Sequence, residues 1–451
     1  MTTTSPSRPT GQAHAGPRRD ATGLGMAVLN KLAGLPVVDR FGLKQPVERA
    51  VYRGTKVGFR TAGAAARQFS AVSKPKSAAR PRPARAGDLF DLTPTDEQRM
   101  IVEACREFAA EQLRPAASAA DTACAAPLEL LQRVNNELGV TFVAVPGSLG
   151  GAGDERSAVT NALVAEALAH GDMGLAVAAL APAAVCNALV LWGDETQQST
   201  YLPSFVGDDV PVAALAVLEP TTLFDPFTLA TAATRTPGGG YTLRGTKSLV
   251  PGAATAELFV VAAMLDGSPR LFVVEGGGDG ITVESEPGMG LRAAATARVL
   301  LDDVTLPATA LLGSTDDYRD AIRLSRLGWA SLAVGTGQAV LDYVIPYVND
   351  RTAFGEPVSH RQSVAFMVAN IGIELEGMRL ATYRAAALAE RGEKFAKPAA
   401  IARRLTSEYG MKIGTDGVQL LGGHGFVKEH PVERWYRDLR AVGMMEGAVL
   451  V

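Results

Sequence analysis

The sequence predicts an α+β protein in which two helical blocks flank a β block. Three observations carry this. Apolar residues recur at helical spacing from about Leu89 to Pro211. Between about Ala213 and Leu312 the texture changes to short apolar runs (ELFVVAAML, RLFVVEG, ARVLLDDVTL) separated by Gly, Pro and Asp, the pattern of antiparallel strands. Long helical periods return from Tyr318 through Arg437. A chain of 451 residues has room for two or three domains and a sizeable core. The expected division is an N-terminal extension and linker (1–88), a helical domain (89–212), a β domain (213–315) and a second helical domain (316–451).

The extension is set apart by charge. Its 88 residues carry 16 basic and 4 acidic side chains, against 28 and 43 in the remainder, an asymmetry hidden by the net charge of −3. That net charge favours no polyanionic partner, and no nucleic acid is expected. Met1 to about Asp20 is rich in Ser, Thr, Pro and Gly and reads as disordered. From Leu35 to about Val72 apolar clusters alternate with Arg and Lys. This fits a basic amphipathic helix in peripheral contact with a membrane or docked on a partner, and also a loose extension with solvated charges. SKPKSAARPRPARAG then reads as a Pro- and Arg-rich linker.

The globular part opens with LTPTDEQRMIVEACREFAAEQL, where Thr95 is placed as an N-cap ahead of early acids and helical apolar spacing. Helical segments continue through TNALVAEALAHGDMGLAVAALAPAAVCNALVLWG, interrupted before it by the glycine-rich loop LGVTFVAVPGSLGGAG. No apolar run is taken to reach membrane-spanning length, and no secretory signal is seen. Cys105, Cys124 and Cys186 are scattered, which fits a reducing compartment, and the five histidines have no metal-ligand spacing. A cytoplasmic protein without a metal is therefore expected.

The end of the chain carries the chemistry. After VQLL comes a Gly-Gly-x-Gly turn at Gly422, Gly423 and Gly425. Glycines admit close backbone approach and positive φ, so Gln419 to Gly425 suits a dinucleotide diphosphate; a helix C-cap and turn accounts for the same residues. His424, inside the turn, reads as a loop or cofactor-edge residue. Glu446 lies among Met444, Met445 and Ala448. An apolar setting of that kind raises a carboxyl towards the range of a general base, whereas a surface glutamate near a chain end would have no such role.

These blocks resemble the acyl-CoA dehydrogenase family. The resemblance runs from about Leu92 to Gly447 and rests on LTPTDEQRMIVEACREFAAEQLRP, VPGSLGGAG, WGDETQQSTYLP, PGMGLRAAATARVLLDDVTLP, NDRTAFGEPVSHRQSVAFMVANI and the final run, all in family order. It implies an N-terminal helical domain, a middle β-barrel domain and a C-terminal four-helix bundle. It implies FAD, with Glu446 taking the α-proton of an acyl-CoA and electrons passing to an electron-transfer flavoprotein, as in fatty acid or steroid side-chain β-oxidation. Arg351, Phe354, Gln362, Gln419, Gly422 and Gly423 would clamp the adenine and diphosphate half of a neighbour's FAD in a homo- or hetero-oligomer, and Arg326 would meet the CoA end of the substrate. The residue types agree, since Arg pairs with diphosphate and Phe packs on a flat heterocycle.

Two stretches depart from the family pattern. Where it has Thr-Glu-Pro-x-Ala-Gly-Ser-Asp, this chain reads Leu218, Glu219, Pro220, Thr221, Thr222, Leu223, Phe224, Asp225. Where it has Lys-x-Trp-Ile-Thr-Asn-Gly, this chain reads Lys247, Ser248, Leu249, Val250, Pro251, Gly252, Ala253. Apolar residues and a proline replace hydroxyls and donors that bond the flavin, each worth about 1 kcal/mol net. Arg323 also reverses a charge usual ahead of Arg326, Ala448 stands for a Thr, and the family usually continues for another helix. Two readings follow: an active dehydrogenase, alone or within a heteromer, and a chiefly non-catalytic subunit that clamps the FAD of another chain.

Overall fold

The computed structural model describes residues 92–153, 157–207 and 209–451. The basic segment read as an amphipathic helix, and its linker, lie outside the described residues.

Helix α1 (Asp96–Phe108) starts as its sequence dictates. The Thr95 hydroxyl accepts from the Gln98 amide at 3.1 Å, and the Gln98 side chain accepts from the Thr95 amide at 3.0 Å. A π turn (Ala109–Leu113) leads into α2 (Arg114–Ala123), which carries Pro115 in its first turn. The wider turn relieves the ring's clash with the carbonyl four residues back. Then follow α3 (Leu128–Leu138), α4 (Ala158–Gly171), α5 (Met173–Trp192) and α6 (Glu195–Tyr201). Helix α5 corrects one expectation: with a mean hydropathy of 2.1 it is long and apolar enough to cross a membrane. Most of it is buried inside the protein, so it is apolar all round because it is a core helix.

The middle block is one eight-stranded sheet made of β1 (Ala213–Ala216), β2 (Ala232–Arg235), β3 (Tyr241–Val250), β4 (Leu258–Leu265), β5 (Ser268–Glu275), β6 (Ile281–Ser285), β7 (Ala297–Leu306) and β8 (Leu311–Leu312). Most pairs are antiparallel, as the texture suggested, but β1 and β2 both run parallel to β4. Strand β1 is buried on both faces. Ala214 and Ala216 join Phe259 and Val261 within the β core, while Leu215 and Val217 share a second core with Val185, Leu189 and Tyr318 of the helices. That is why its run is continuously apolar rather than alternating.

Helix α7 (Thr315–Asp350) is followed by a hairpin of β9 (Thr352–Ala353) and β10 (Glu356–Pro357), then α8 (Gln362–Glu390), α9 (Ala396–Leu420) and the short α10 (Val432–Leu439). Helix α4 lies against α7 at Gly335, where any Cβ would run into the Glu166 backbone. The last residues return to the sheet: Gly447 bridges Ala216 of β1, and Ala448 to Val451 are buried. The N-terminal helical, middle sheet and C-terminal helical order is the expected one.

Candidate active site

The expected residues fall into two groups at opposite ends of α7. Arg326 and Arg351 lie 25 residues apart on that helix and at its cap, a separation of roughly 37 Å at 1.5 Å per residue.

The first group is the clamp. Arg351 caps α7, Gln419 closes α9, and a 3-10 turn (Gly422–Phe426) follows, with Gly422 at φ +57°. The glycine run is thus a helix terminus whose backbone lines a cavity. Arg351, Gln419, Gly422, Gly423, His424 and Tyr347 line one cavity of about 410 Å³. A Cβ at Gly422 or Gly423 would meet nothing within 4 Å, so this backbone faces open space. His424 is held at the edge: its Nδ1 lies 2.7 Å from the Tyr347 hydroxyl, and its ring stacks on His430 at 5.4 Å. Phe354, at the hairpin tip with φ +56°, is 96% exposed, with the Arg361 guanidinium 5.6 Å over its ring. Gln362 is the exposed first residue of α8. Neither Phe354 nor Gln362 lines the cavity. The donor set, one guanidinium with exposed glycine backbone and a nearby flat ring, fits an anionic diphosphate attached to a heterocycle.

The second group is buried. Glu446 is 9% exposed, and its partners are guanidiniums as well as the neighbouring methionines. Arg326 Nε donates to both carboxylate oxygens at 3.1 and 3.2 Å, and its Nη2 donates to Oε1 at 2.8 Å. Arg403 of α9 brings its Nη2 to 3.8 Å from Oε1. The apolar setting expected for Glu446 is therefore corrected to an ionic one, and Arg326 is engaged with the Glu446 carboxylate. Arg323 pairs one turn earlier with Asp320 at 2.7 Å. The backbone around Glu446 is held too. Arg403 Nη2 donates to the Met445 carbonyl at 2.6 Å, while the Ser325 hydroxyl and the Trp329 indole each donate to the Gly447 carbonyl at 2.8 Å. Gly447 has φ +75°, and a Cβ there would meet Val217 at 2.8 Å, so only glycine suits.

The altered wall is anchored by a pair from its two stretches. Buried Lys247 Nζ donates to buried Glu219 Oε1 at 2.7 Å, and Glu219 also accepts from the Ala230 and Thr231 amides at 2.7 and 2.9 Å. Burial pulls the Lys247 ammonium down to about 8 against the opposing pull of Glu219. Burial raises the Glu219 carboxyl, but Lys247 and the amides outweigh it and hold the group below the ordinary range. The pair fixes where the stretches meet; what they present is mostly apolar. The Leu249 amide is already given to Glu286 at 2.8 Å, and Pro251 has no amide proton. Thr221 and Thr222 remain exposed beside Leu223, which is 95% exposed at φ +54°. The wall thus fits a flat apolar ring face but offers it few polar partners.

Sequence reasoning missed Arg403. It lies 43 residues before Glu446 and belongs to no local motif. A signal was present, because Ala399, Ala402, Thr406, Gly410, Ile413 and Gly417 mark the buried face of α9 and Arg403 falls on it. It also missed Trp329, which belongs to none of the motifs read from the sequence. A larger hollow of about 570 Å³ on the β domain, lined by Glu275, Asp302 and Thr305 among others, contains none of the expected residues.

Three domain families match successive stretches of the chain: the acyl-CoA dehydrogenase N-terminal domain over residues 95–209, the middle domain over 214–304 and the C-terminal domain over 317–449. The chain is similar to the short-chain-specific acyl-CoA dehydrogenase of Megasphaera elsdenii, 30% identical over 370 residues, covering 79% of this chain and 96% of that protein. The mitochondrial short-chain-specific enzyme of Bos taurus is 33% identical over 367 residues, covering 78% of this chain and 87% of that protein. Among solved structures, butyryl-CoA dehydrogenase from Megasphaera elsdenii superposes with a TM-score of 0.72 at 30% identity, over 78% of this chain and 95% of that one.

Proposed function

We propose, from the premise that this chain belongs to the acyl-CoA dehydrogenase family and is an oxidoreductase of that kind, that it removes the α-proton of an acyl-CoA thioester through Glu446. The carrying observation is that the one carboxylate expected as base is buried, and that it and the backbone on either side of it are held from two helices, α7 and α9, and from β1 of the sheet. FAD, the cofactor the family implies, supplies the hydride acceptor when bound. This chain's residues do the rest. Glu446 receives the proton at a carboxylate oxygen, which requires Arg326 to yield part of its hold. Half-buried Leu249 helps to exclude water from the ring face, and Lys247 with Glu219 fixes that wall in place. The product is the trans-2-enoyl-CoA. The relatives' short-chain designation makes a short acyl group the first substrate to try, and an electron-transfer flavoprotein is the proposed electron acceptor.

The clamp serves a neighbouring chain in this reading. Arg351, Gln419, Gly422 and Gly423 are exposed and some 37 Å along α7 from Glu446's partner Arg326, further than one cofactor molecule reaches with both ends engaged. Two chains, alike or different, then complete each other's sites. The scarcity of polar partners in the ring wall favours a second reading, a subunit that lends its clamp while its own seat is weak. Purification of the full chain separates the two. A yellow protein that converts butyryl-CoA to its enoyl product with a dye acceptor supports the first. A colourless chain that acquires flavin only with a second dehydrogenase chain replaces it with the second. A cytoplasmic setting remains part of the proposal, to be checked by fractionation.

A further inference from the structure

Two guanidiniums converge on Glu446, and they are not equivalent. Arg326 bonds only the carboxylate. Arg403, 12% exposed, reaches from the Met445 carbonyl (2.6 Å) to within 3.8 Å of Glu446 Oε1, so it spans the backbone and the head group of the same short segment. Its Nη1 is buried without a partner. Burial lowers this guanidinium to about 10, with Glu446 opposing the fall and Arg326 adding to it. A buried donor left unpaired is costly, and so are two cations beside one carboxylate. A purely structural arginine at this point would be better replaced by an apolar side chain.

We propose that Arg403 is the positioning residue of the base: it fixes the Met445–Glu446 peptide and retains the carboxylate when Arg326 lets go. This rests on the reading of Glu446 as base. In the described state the carboxylate is turned to Arg326, which makes two contacts to Oε1 and one to Oε2 and so orients the group towards itself. Once Arg326 releases it, the carboxylate still has Arg403 at its side, and the spare Nη1 provides the donor that its movement requires. The Gly447 carbonyl is held independently by Ser325 and Trp329, so the segment pivots between two fixed peptides. Arg403 touches no reacting atom; it acts through Glu446.

The test uses the full chain with Arg403→Met, Arg403→Lys and Glu446→Gln in parallel. Arg403→Met is expected to lower kcat for a short acyl-CoA by about 10²-fold, the scale of a small misplacement of a catalytic group, with KM and flavin content unchanged. Arg403→Lys is expected to regain most of that loss, because the charge returns to the same place. In hydrogen exchange, which needs neither cofactor nor activity, the Met444–Val451 peptide of Arg403→Met should exchange about tenfold faster while the rest of the chain is unchanged. The inference is overturned if Arg403→Met keeps its kcat while Glu446→Gln loses activity, if Arg403→Lys fares no better than Met, or if the terminal peptide exchanges as before. Full activity in Glu446→Gln overturns the underlying reading instead, and the inference falls with it.

Discussion

Leu223 shows how a single residue records a changed site. The family pattern places a glycine here, and the backbone keeps the left-handed conformation that suits one, at φ +54°. A leucine in that region is strained, and here it also leaves its side chain 95% exposed. Leu223→Gly is expected to stabilise the chain by about 1 kcal/mol in denaturant titration, the relief of strain exceeding the added freedom of the unfolded chain. The buried pair behind that loop should behave in the opposite way. Lys247→Met leaves Glu219 as an uncompensated buried charge and should destabilise by about 3–5 kcal/mol. Glu446 and the proposed clamp residues could be singled out in sequence because each sits in a local run with a chemical reason for its residue types. The ionic shell of Glu446 was not, because Arg326 and Arg403 come to it from 120 and 43 residues away along separate helices.

At the level of elements, α5 and β1 show what periodicity can and cannot decide. Both are apolar throughout because both are buried on every side, which removes the alternation that marks a half-exposed helix or strand. The start of α1 was legible to the residue, since a capping box is local chemistry. The parallel pairing of β1 and β2 with β4 was not, because register depends on distant strands. Helix α10 adds a pH dependence that no pattern announced. Its Asp438 accepts from the Leu291 amide at 2.6 Å where the β6–β7 connection meets the helices. Asp172, the N-cap of α5, takes Arg434 at 2.8 Å. Burial, then the Asp172 charge, pushes the Asp438 carboxyl up to about 8. The folded chain therefore holds a proton that the unfolded chain releases. The resulting stability is full below the ordinary carboxylate range, declines as pH rises and is gone above about 8. Between pH 5 and 9 the wild-type Tm should fall relative to that of Asp438→Asn, which carries no such proton; parallel Tm curves would show that Asp438 is ionised throughout.

Across the whole molecule, the clamp and the base are kept apart by the length of α7, so the proposed site is divided between chains. Added FAD should raise the Tm of the flavin-depleted chain, by an amount that grows with ligand concentration, and Arg351→Ala should shrink that rise by weakening the anionic contact. An unchanged rise in Arg351→Ala would remove the clamp from the account. The domain order was legible from texture alone. The proposed division of the site between chains comes from the resemblance, and the 36-residue length of α7 supports it.

Flavin colour gives the most direct reading of α-proton withdrawal by Glu446. The full chain, with its flavin, is mixed anaerobically with a stoichiometric short-chain acyl-CoA while the flavin absorbance is followed. The wild type is expected to bleach, and Glu446→Gln is expected to keep its flavin but bleach about 10²–10⁴-fold more slowly, the range lost with a general base. Bleaching at the same rate in both proteins would contradict the assignment.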